Sequence, residues 1–200
     1  MIIGVVLAAG RGERFGTDKL LRPLGGQPLV LRTLSNCLAS SLDAVVVVVG
    51  EADGGVEAAV RGAFAHDSRV SVVHNPDAAR GHITSLKAGL RVLPGDASAA
   101  AVFLADMPLV DAAIIDRVLD AHRATGQLTV PLCAGVWRHP RIIPAERFDD
   151  FLALGDGAGG GVIFERFRDQ VTAVEAGAPW NYLDIDTPED LARAEALLTP

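Results

Sequence analysis

The sequence predicts an α/β protein, a single domain over residues 1–200, built on a mostly parallel, Rossmann-like sheet with helices on both faces. Three observations carry this reading. Short, unbroken runs of Val, Ile and Ala recur along the first half of the chain. Segments with a helical pattern separate them, and a glycine-rich turn follows the first run. Apolar runs without alternation suit parallel strands covered on both faces. Their regular exchange with helical segments suits a layered sheet.

In order, strands are expected over 2–7, 44–49, 70–73 and 100–104. Helices are expected over about 28–38, 56–64, 84–93 and 114–124, the first with Pro28 in its opening turn, where proline is tolerated. The second half is less regular. Residues 128–132 read as a strand, 137–143 as irregular or short extended pieces, and 148–154 as a helix. Residues 155–161, Gly-Asp-Gly-Ala-Gly-Gly-Gly, read as a flexible loop before a short helix over 162–167. A final helix starts at Thr187-Pro188, with Thr187 as N-cap and Pro188 at the first helical position.

With 50% hydrophobic and 22% charged residues, the chain has the balance of a folded globular protein rather than a disordered one. Its formal net charge of −7 argues against a broad surface for DNA or RNA, which needs excess Lys and Arg. The two cysteines, Cys37 and Cys133, lie far apart and in no C-x-x-C pattern, so they read as small buried apolar residues. Met1-Ile2-Ile3-Gly4 carries no basic leader, and the apolar runs at 44–49 and 97–105 are too short to span a bilayer. The expectation is a cytoplasmic protein with no membrane partner.

The first strand runs into Ala8-Ala9-Gly10-Arg11-Gly12-Glu13-Arg14-Phe15-Gly16-Thr17-Asp18-Lys19. Small residues let backbone approach a ligand, and successive N–H groups can face phosphate oxygens. Arg11, Arg14, Lys19 and Arg22 concentrate positive charge in an otherwise acidic chain. In open α/β sheets ligands bind beyond the carboxyl ends of strands, which is where this loop falls. It is not a Walker A loop, because Asp18 rather than Gly precedes Lys19. Nor is it the dinucleotide fingerprint, because Gly16 comes one residue late.

Carboxylates form the second group of candidates. Asp106 follows the strand at 100–104 and should face the same crevice. Asp184 and Asp186 are two residues apart, so in an extended segment they share a face. Magnesium favours one or two carboxylates plus water and substrate phosphates, a need that Asp106 with Asp184 or Asp186 meets. Asp106 also suits a loop cap, and Asp186 a turn ahead of Thr187. Asn75-Pro76-Asp77 signals a turn, after which Gly81, Thr84 and Ser85 open a helix whose free N–H groups suit either capping or a ligand.

The pattern from Leu7 to Lys19, L-A-A-G-x-x-x-R-x-G-x-x-K, with its continuation Leu20-Leu21-Arg22-Pro23-Leu24-Gly25-Gly26-Gln27-Pro28-Leu29, resembles the MobA-like NTP-transferase family. Among its members it looks most like the molybdenum cofactor cytidylyltransferases. Leu104-Ala105-Asp106-Met107-Pro108 and Asp184-Ile185-Asp186-Thr187-Pro188-Glu189-Asp190-Leu191 also resemble family motifs, in the right order. The resemblance implies a nucleotide-diphospho-sugar transferase fold and a nucleotide site over Leu7, Ala8, Ala9, Gly10, Arg11 and Gly12, with Lys19, Asn75, Gly81 and Ser85. It implies Arg14, Lys19 and Asp106 as catalytic residues, Mg2+ as cofactor, and Asp106, Asp184 and Asp186 as metal ligands.

The same resemblance sets His139 and Asp156 beside the acceptor. Two departures stand out. Arg138, not Gly, precedes His139-Pro140, and Gly160 stands where the family's Gly-Asp-x-Gly-Ala-Arg segment ends in arginine. The implied reaction moves CMP from CTP to a phosphorylated acceptor, the molybdenum cofactor, with release of pyrophosphate. Ala9 in Leu-Ala-Ala-Gly favours CTP, since the guanylyl branch more often reads Leu-Ala-Gly-Gly; GTP stays open. A molybdoenzyme or its assembly factor is the implied partner. Two alternatives remain: a transferase acting on a sugar phosphate or another small phosphate, and an accessory protein that binds nucleotide or cofactor without turnover. The first would release pyrophosphate with a different acceptor, the second with none.

Overall fold

The computed structural model describes residues 1–10, 19–50 and 55–198. The chain opens with strand β1 (Ile2–Leu7) and, after a single 3-10 turn (Lys19–Leu21), forms a small antiparallel hairpin, β2 (Pro23–Leu24) and β3 (Gln27–Pro28). Then follow α1 (Leu29–Ala39), β4 (Ala44–Gly50), α2 (Val56–Ala63), β5 (Val70–Asn75), α3 (His82–Arg91), β6 (Ala99–Leu104) and α4 (Ala112–Thr125). The second half supplies β7 (Leu128–Cys133), β8 (Val136–Trp137), β9 (Arg141–Pro144), α5 (Phe148–Leu152), α6 (Gly161–Arg166), β10 (Val171–Glu175) and α7 (Pro188–Leu198).

The main sheet has the order β10-β7-β9-β6-β1-β4-β5, with β8 paired to β7. Strands β5, β4, β1 and β6 are parallel, as are β7 and β10, while β9 runs against both β6 and β7. The chain steps outward from β1 to β4 to β5, then returns to place β6 on the other side of β1. That reversal between β1 and β6 is the switch point at which open α/β sheets leave a crevice. In register, Leu7 sits beside Leu104 on one side, so β1 and β6 finish level, and beside Val48 on the other, where β4 runs two residues further to Gly50.

Alternate side chains feed two apolar layers, as the pleat requires. Val6, Val47 and Ala101 pack with α1, α2 and α4 through Leu34, Val60 and Ile115. Val5, Val48 and Val102 pack with α3, α5 and α6 through Ile83, Leu86, Phe151 and Phe164. Helix α3 lies close on the sheet: a Cβ on Gly89 would come 2.5 Å from Val5 Cγ1, so only glycine fits there. A third cluster joins Leu24 and Leu29 near the hairpin to Ile185 and to Ala194 of α7. Cys37 and Cys133 are free and buried, as expected of apolar residues. No helix among the described residues is long and apolar enough to cross a membrane.

The expected sheet, its four central strands and the helices between them are present. The first helix begins at Leu29, one residue after Pro28, which precedes it instead of sitting in its opening turn. Helix α3 starts at His82 rather than Thr84, because the hydroxyl of Thr84 turns back to the carbonyls of Gly81 and Asp77. The 155–161 segment, expected as a flexible loop, is pinned: Asp156 pairs with Arg80 and with Lys87, whose Nζ also donates to the Leu154 carbonyl. Strand β10 was not anticipated; β8 begins one residue ahead of the irregular or short extended pieces expected over 137–143. Helix α7 is capped as expected, with Thr187 Oγ1 accepting from the Asp190 amide at 3.2 Å and Asp190 Oδ2 accepting in return from the Thr187 amide at 3.0 Å.

Candidate active site

Parallel pairing continues just past the ends of β1 and β6: the Ala8 amide donates to Val48 O at 2.8 Å, and the Ala105 amide to Leu7 O at 3.2 Å. Ala9 and Gly10 then turn over the crevice, where both line a cleft of about 790 Å³. That size is ordinary for a small-molecule site. Arg11, Gly12 and Arg14, named from the sequence, lie outside the described residues, as do Gly16 and the rest of 11–18.

Lys19 reaches across the cleft mouth. Its Nζ lies 2.8 Å from Asp106 Oδ2 and 2.9 Å from Asp186 Oδ1, and its side chain is only 11% exposed. Burial alone would lower its pKa. The facing carboxylates of Asp106 and Asp186 outweigh that and raise it, so the ammonium stays charged.

The acidic residues arrive from two parts of the chain. Asp106 sits in the turn after β6, where the Met107 amide donates to Leu104 O at 3.2 Å. The Ile185 amide donates to the Asp106 carbonyl at 3.0 Å, tying the segment before α7 to the end of β6. Ile185 is fully buried, so its neighbours Asp184 and Asp186 turn the other way, and both line the cleft. This is the shared face that the two-residue spacing implied. Partial burial, then the charges of Asp106 and Asp186, push the Asp184 carboxyl up to about 6, against the opposing pull of Lys19 and Arg138. Solvent reaches Asp184 as a residue, which moderates the effect.

Three carboxylates therefore face one ammonium, an excess of negative charge that suits a cation. Among the described residues, no three His, Cys, Asp or Glu side chains converge tightly enough to cage a metal. Magnesium does not ask for a cage; it takes one or two carboxylates and completes its shell with water and phosphate oxygens. Asp106 with Asp184 or Asp186 fits that requirement.

Helix α3 forms one wall of the cleft. Ser85 and Gly81 line it, whereas Asn75 stands behind, its amide donating to Thr84 Oγ1 and Ser85 Oγ at 2.9 Å each. Asn75 thus holds the hydroxyl of Ser85 rather than facing the cleft itself. Gly81 has φ +127°, and a Cβ there would lie 2.7 Å from the Asp156 carbonyl. Asp156 is turned to Arg80 and Lys87 and is not among the lining residues, so the structure brings it to the back of the wall.

The far end of the cleft is built by the strand that runs against its neighbours. His139 precedes β9 through a cis peptide to Pro140, and its Nδ1 lies 3.1 Å from Val102 O. A carbonyl only accepts, so Nδ1 carries the proton and Nε2 is the bare nitrogen of the neutral ring. Burial, and then the charge of Arg141, push the imidazole down to about 4. Arg141, Phe151 and Phe164 complete this end. Sequence reasoning missed all three.

The chain is 36% identical over 134 residues to the bifunctional protein GlmU of Kineococcus radiotolerans, and spans only 26% of that protein's length. It is 30% identical over 198 residues to the molybdenum cofactor guanylyltransferase of Rhodobacter capsulatus, covering 97% of this chain and 95% of that one. It is 35% identical over 130 residues to the 2-C-methyl-D-erythritol 4-phosphate cytidylyltransferase of Streptomyces coelicolor, covering 64% of this chain and 48% of that one. Among solved structures it resembles Rv0371c of Mycobacterium tuberculosis, with TM-score 0.80, 30% identity and 98% of each chain covered. That protein has also been solved in complex with manganese. The family model of the MobA-like NTP transferase domain matches residues 4–172, and the chain belongs to that family.

Proposed function

We propose that this protein is a magnesium-dependent nucleotidyltransferase that moves CMP from CTP to the phosphate of a small acceptor, with molybdopterin or the molybdenum cofactor as the first candidate. The observation that carries this reading is the placement of Lys19 between Asp106 and Asp186, at the level carboxyl ends of β1 and β6. A phosphate oxygen of the acceptor attacks the α-phosphorus; the bond to the bridging oxygen breaks and pyrophosphate leaves. The nucleophile is already anionic near neutral pH, so alignment and charge repulsion are the main barriers. Asp106 with Asp184 or Asp186 would hold a divalent ion, which would supply charge neutralisation at the phosphates. Lys19 stays protonated and stabilises charge building on the leaving group. Ala9, which lines the cleft, keeps the loop thin enough for phosphate to approach backbone, while Ala8 is buried in the core behind it.

The choice of CTP rests on Ala9 and agrees with the cytidylyltransferase relative; GTP is the alternative, favoured by the guanylyltransferase relative. A cytoplasmic setting and delivery to a molybdoenzyme or its assembly factor complete the reading. The test is pyrophosphate release with each of the four NTPs, with magnesium or manganese, with and without molybdenum cofactor. Release with CTP only in the presence of cofactor supports the proposal. Release with GTP alone changes the nucleotide, and nucleotide binding with no release for any phosphorylated acceptor supports an accessory role.

A further inference from the structure

The two ends of the cleft differ in charge. Asp106, Asp184 and Asp186 crowd one end; among the described residues a single guanidinium, that of Arg141, commands the other. Arg141 opens β9 opposite Val102 and so shares the face of the sheet that packs against α3, α5 and α6. Its Cζ lies 5.2 Å from the centre of the Phe164 ring. Its Nε is buried and has no hydrogen-bond partner. Among the described residues no carboxylate lies within ion-pairing distance of it. Glu165 acts only through space, and its Oε2 is engaged by Arg168. His139 beside it is held neutral and offers no competing charge.

Arg141 as a residue is half-buried, and a cation with a buried nitrogen that has no partner is costly; its natural remedy is an anion. Arginine's planar fork matches a phosphate or carboxylate with two parallel bonds. Space for the fork is kept by glycine, since a Cβ on Gly161 would lie 3.3 Å from an Arg141 terminal nitrogen. The surrounding walls are apolar: Ile83, Leu86, Ile143, Phe151 and Phe164. A cation set among such side chains selects an oxyanion carried on a compact apolar body.

We propose that Arg141 is the docking and specificity residue for the acceptor, receiving a phosphate or carboxylate group whose flat or apolar carrier lies against Phe164, Ile83 and Leu86. The assignment to the acceptor, rather than to some other ligand, rests on the transferase reading above.

Phenyl phosphate, an oxyanion on a flat apolar ring, is a suitable probe by calorimetry. It is titrated into wild type, Arg141→Leu, Arg141→Lys and Gly161→Ala, each with and without saturating magnesium and CTP, and CTP binding is measured in parallel. Wild type should bind the probe more tightly than inorganic phosphate, also when nucleotide is present. Arg141→Leu should weaken it at least about tenfold, the scale of one charge-assisted contact. Arg141→Lys should fall between, and Gly161→Ala, which crowds the fork without touching the charge, should weaken it several-fold. CTP affinity should change less than about twofold in all three. The thermal midpoint of Arg141→Leu should not drop, because the substitution removes a half-buried cation whose buried Nε has no partner. Equal probe affinity in wild type and Arg141→Leu overturns the proposal, as does absence of probe binding to wild type. If wild type binds no nucleotide, the transferase reading fails instead, and the arm without nucleotide still decides whether Arg141 holds the anion.

Discussion

Lys19 and Asp106 are 87 residues apart in sequence and 2.8 Å apart in space, joined across the mouth of the cleft. The two charges satisfy each other across the cleft. Removing either should leave the fold standing, because both lie at the edge of the core. Lys19→Ala and Asp106→Asn are each expected to lower turnover by roughly 10²–10³-fold. Pyrophosphate release, with circular dichroism as the folding control, checks this. Near-normal turnover in either variant would move the chemistry elsewhere.

Partial burial, and then the charges of Asp106 and Asp186, push the Asp184 carboxyl up to about 6. Asp184→Asn should therefore raise the thermal midpoint of the metal-free protein slightly at neutral pH, where that carboxylate is charged. The same change should shrink the rise produced by magnesium or manganese. Thermal melts in chelator and in added metal read both effects. An undiminished metal-dependent rise would remove Asp184 from the ligand set and leave Asp186.

Gly81→Ala should destabilise the protein by about 1–3 kcal/mol, since its backbone lies in a region reserved for glycine. The new Cβ would also meet the Asp156 carbonyl at 2.7 Å. Gly95→Ala, which meets nothing within 4 Å, is the control. It should stay within about 0.5 kcal/mol. Urea denaturation of the two variants separates them, and similar midpoints would show that the 155–161 segment yields easily.

His139 gives the stability an acid-side slope. Unfolded, the imidazole titrates at 6.5; folded, burial and Arg141 hold it near 4. Between those values the unfolded chain binds the extra proton, so stability is full above 6.5 and declines as pH falls toward 4. His139→Gln, which can still donate to Val102 O, should flatten the dependence of the urea midpoint on pH over that window. Parallel slopes for the two proteins would assign the acid sensitivity to other groups.

The parallel half of the fold was legible because its strands are buried on both faces and so read as plain apolar runs. Val45 to Val49 could hardly be anything else. Strand β10 was missed because it is an edge strand, only five residues long and partly exposed, in which Thr172 and Ala173 dilute the apolar signal. In the site, Lys19, Asp106, Asp184 and Asp186 were readable because each sits next to a strand end or a helix cap, where local pattern predicts position. Asp156 was misleading, since a carboxylate in a glycine-rich loop looks available until Arg80 and Lys87 are seen to claim it. Arg141 was overlooked because nothing local marks it; its meaning comes from Phe164 and Gly161, which only the fold brings to it.

The reversed direction of β9 has a consequence for how such a protein can change. A parallel strand presents its end to the crevice; β9, running the other way, presents its beginning. One wall of the cleft is thus written in a short passage around residues 139–141, far along the chain from the loop after β1. Substitutions in that passage can redecorate the wall while the Lys19–Asp106 junction keeps its shape. A library confined to 136–164 would vary that wall with the opposite end of the cleft held constant.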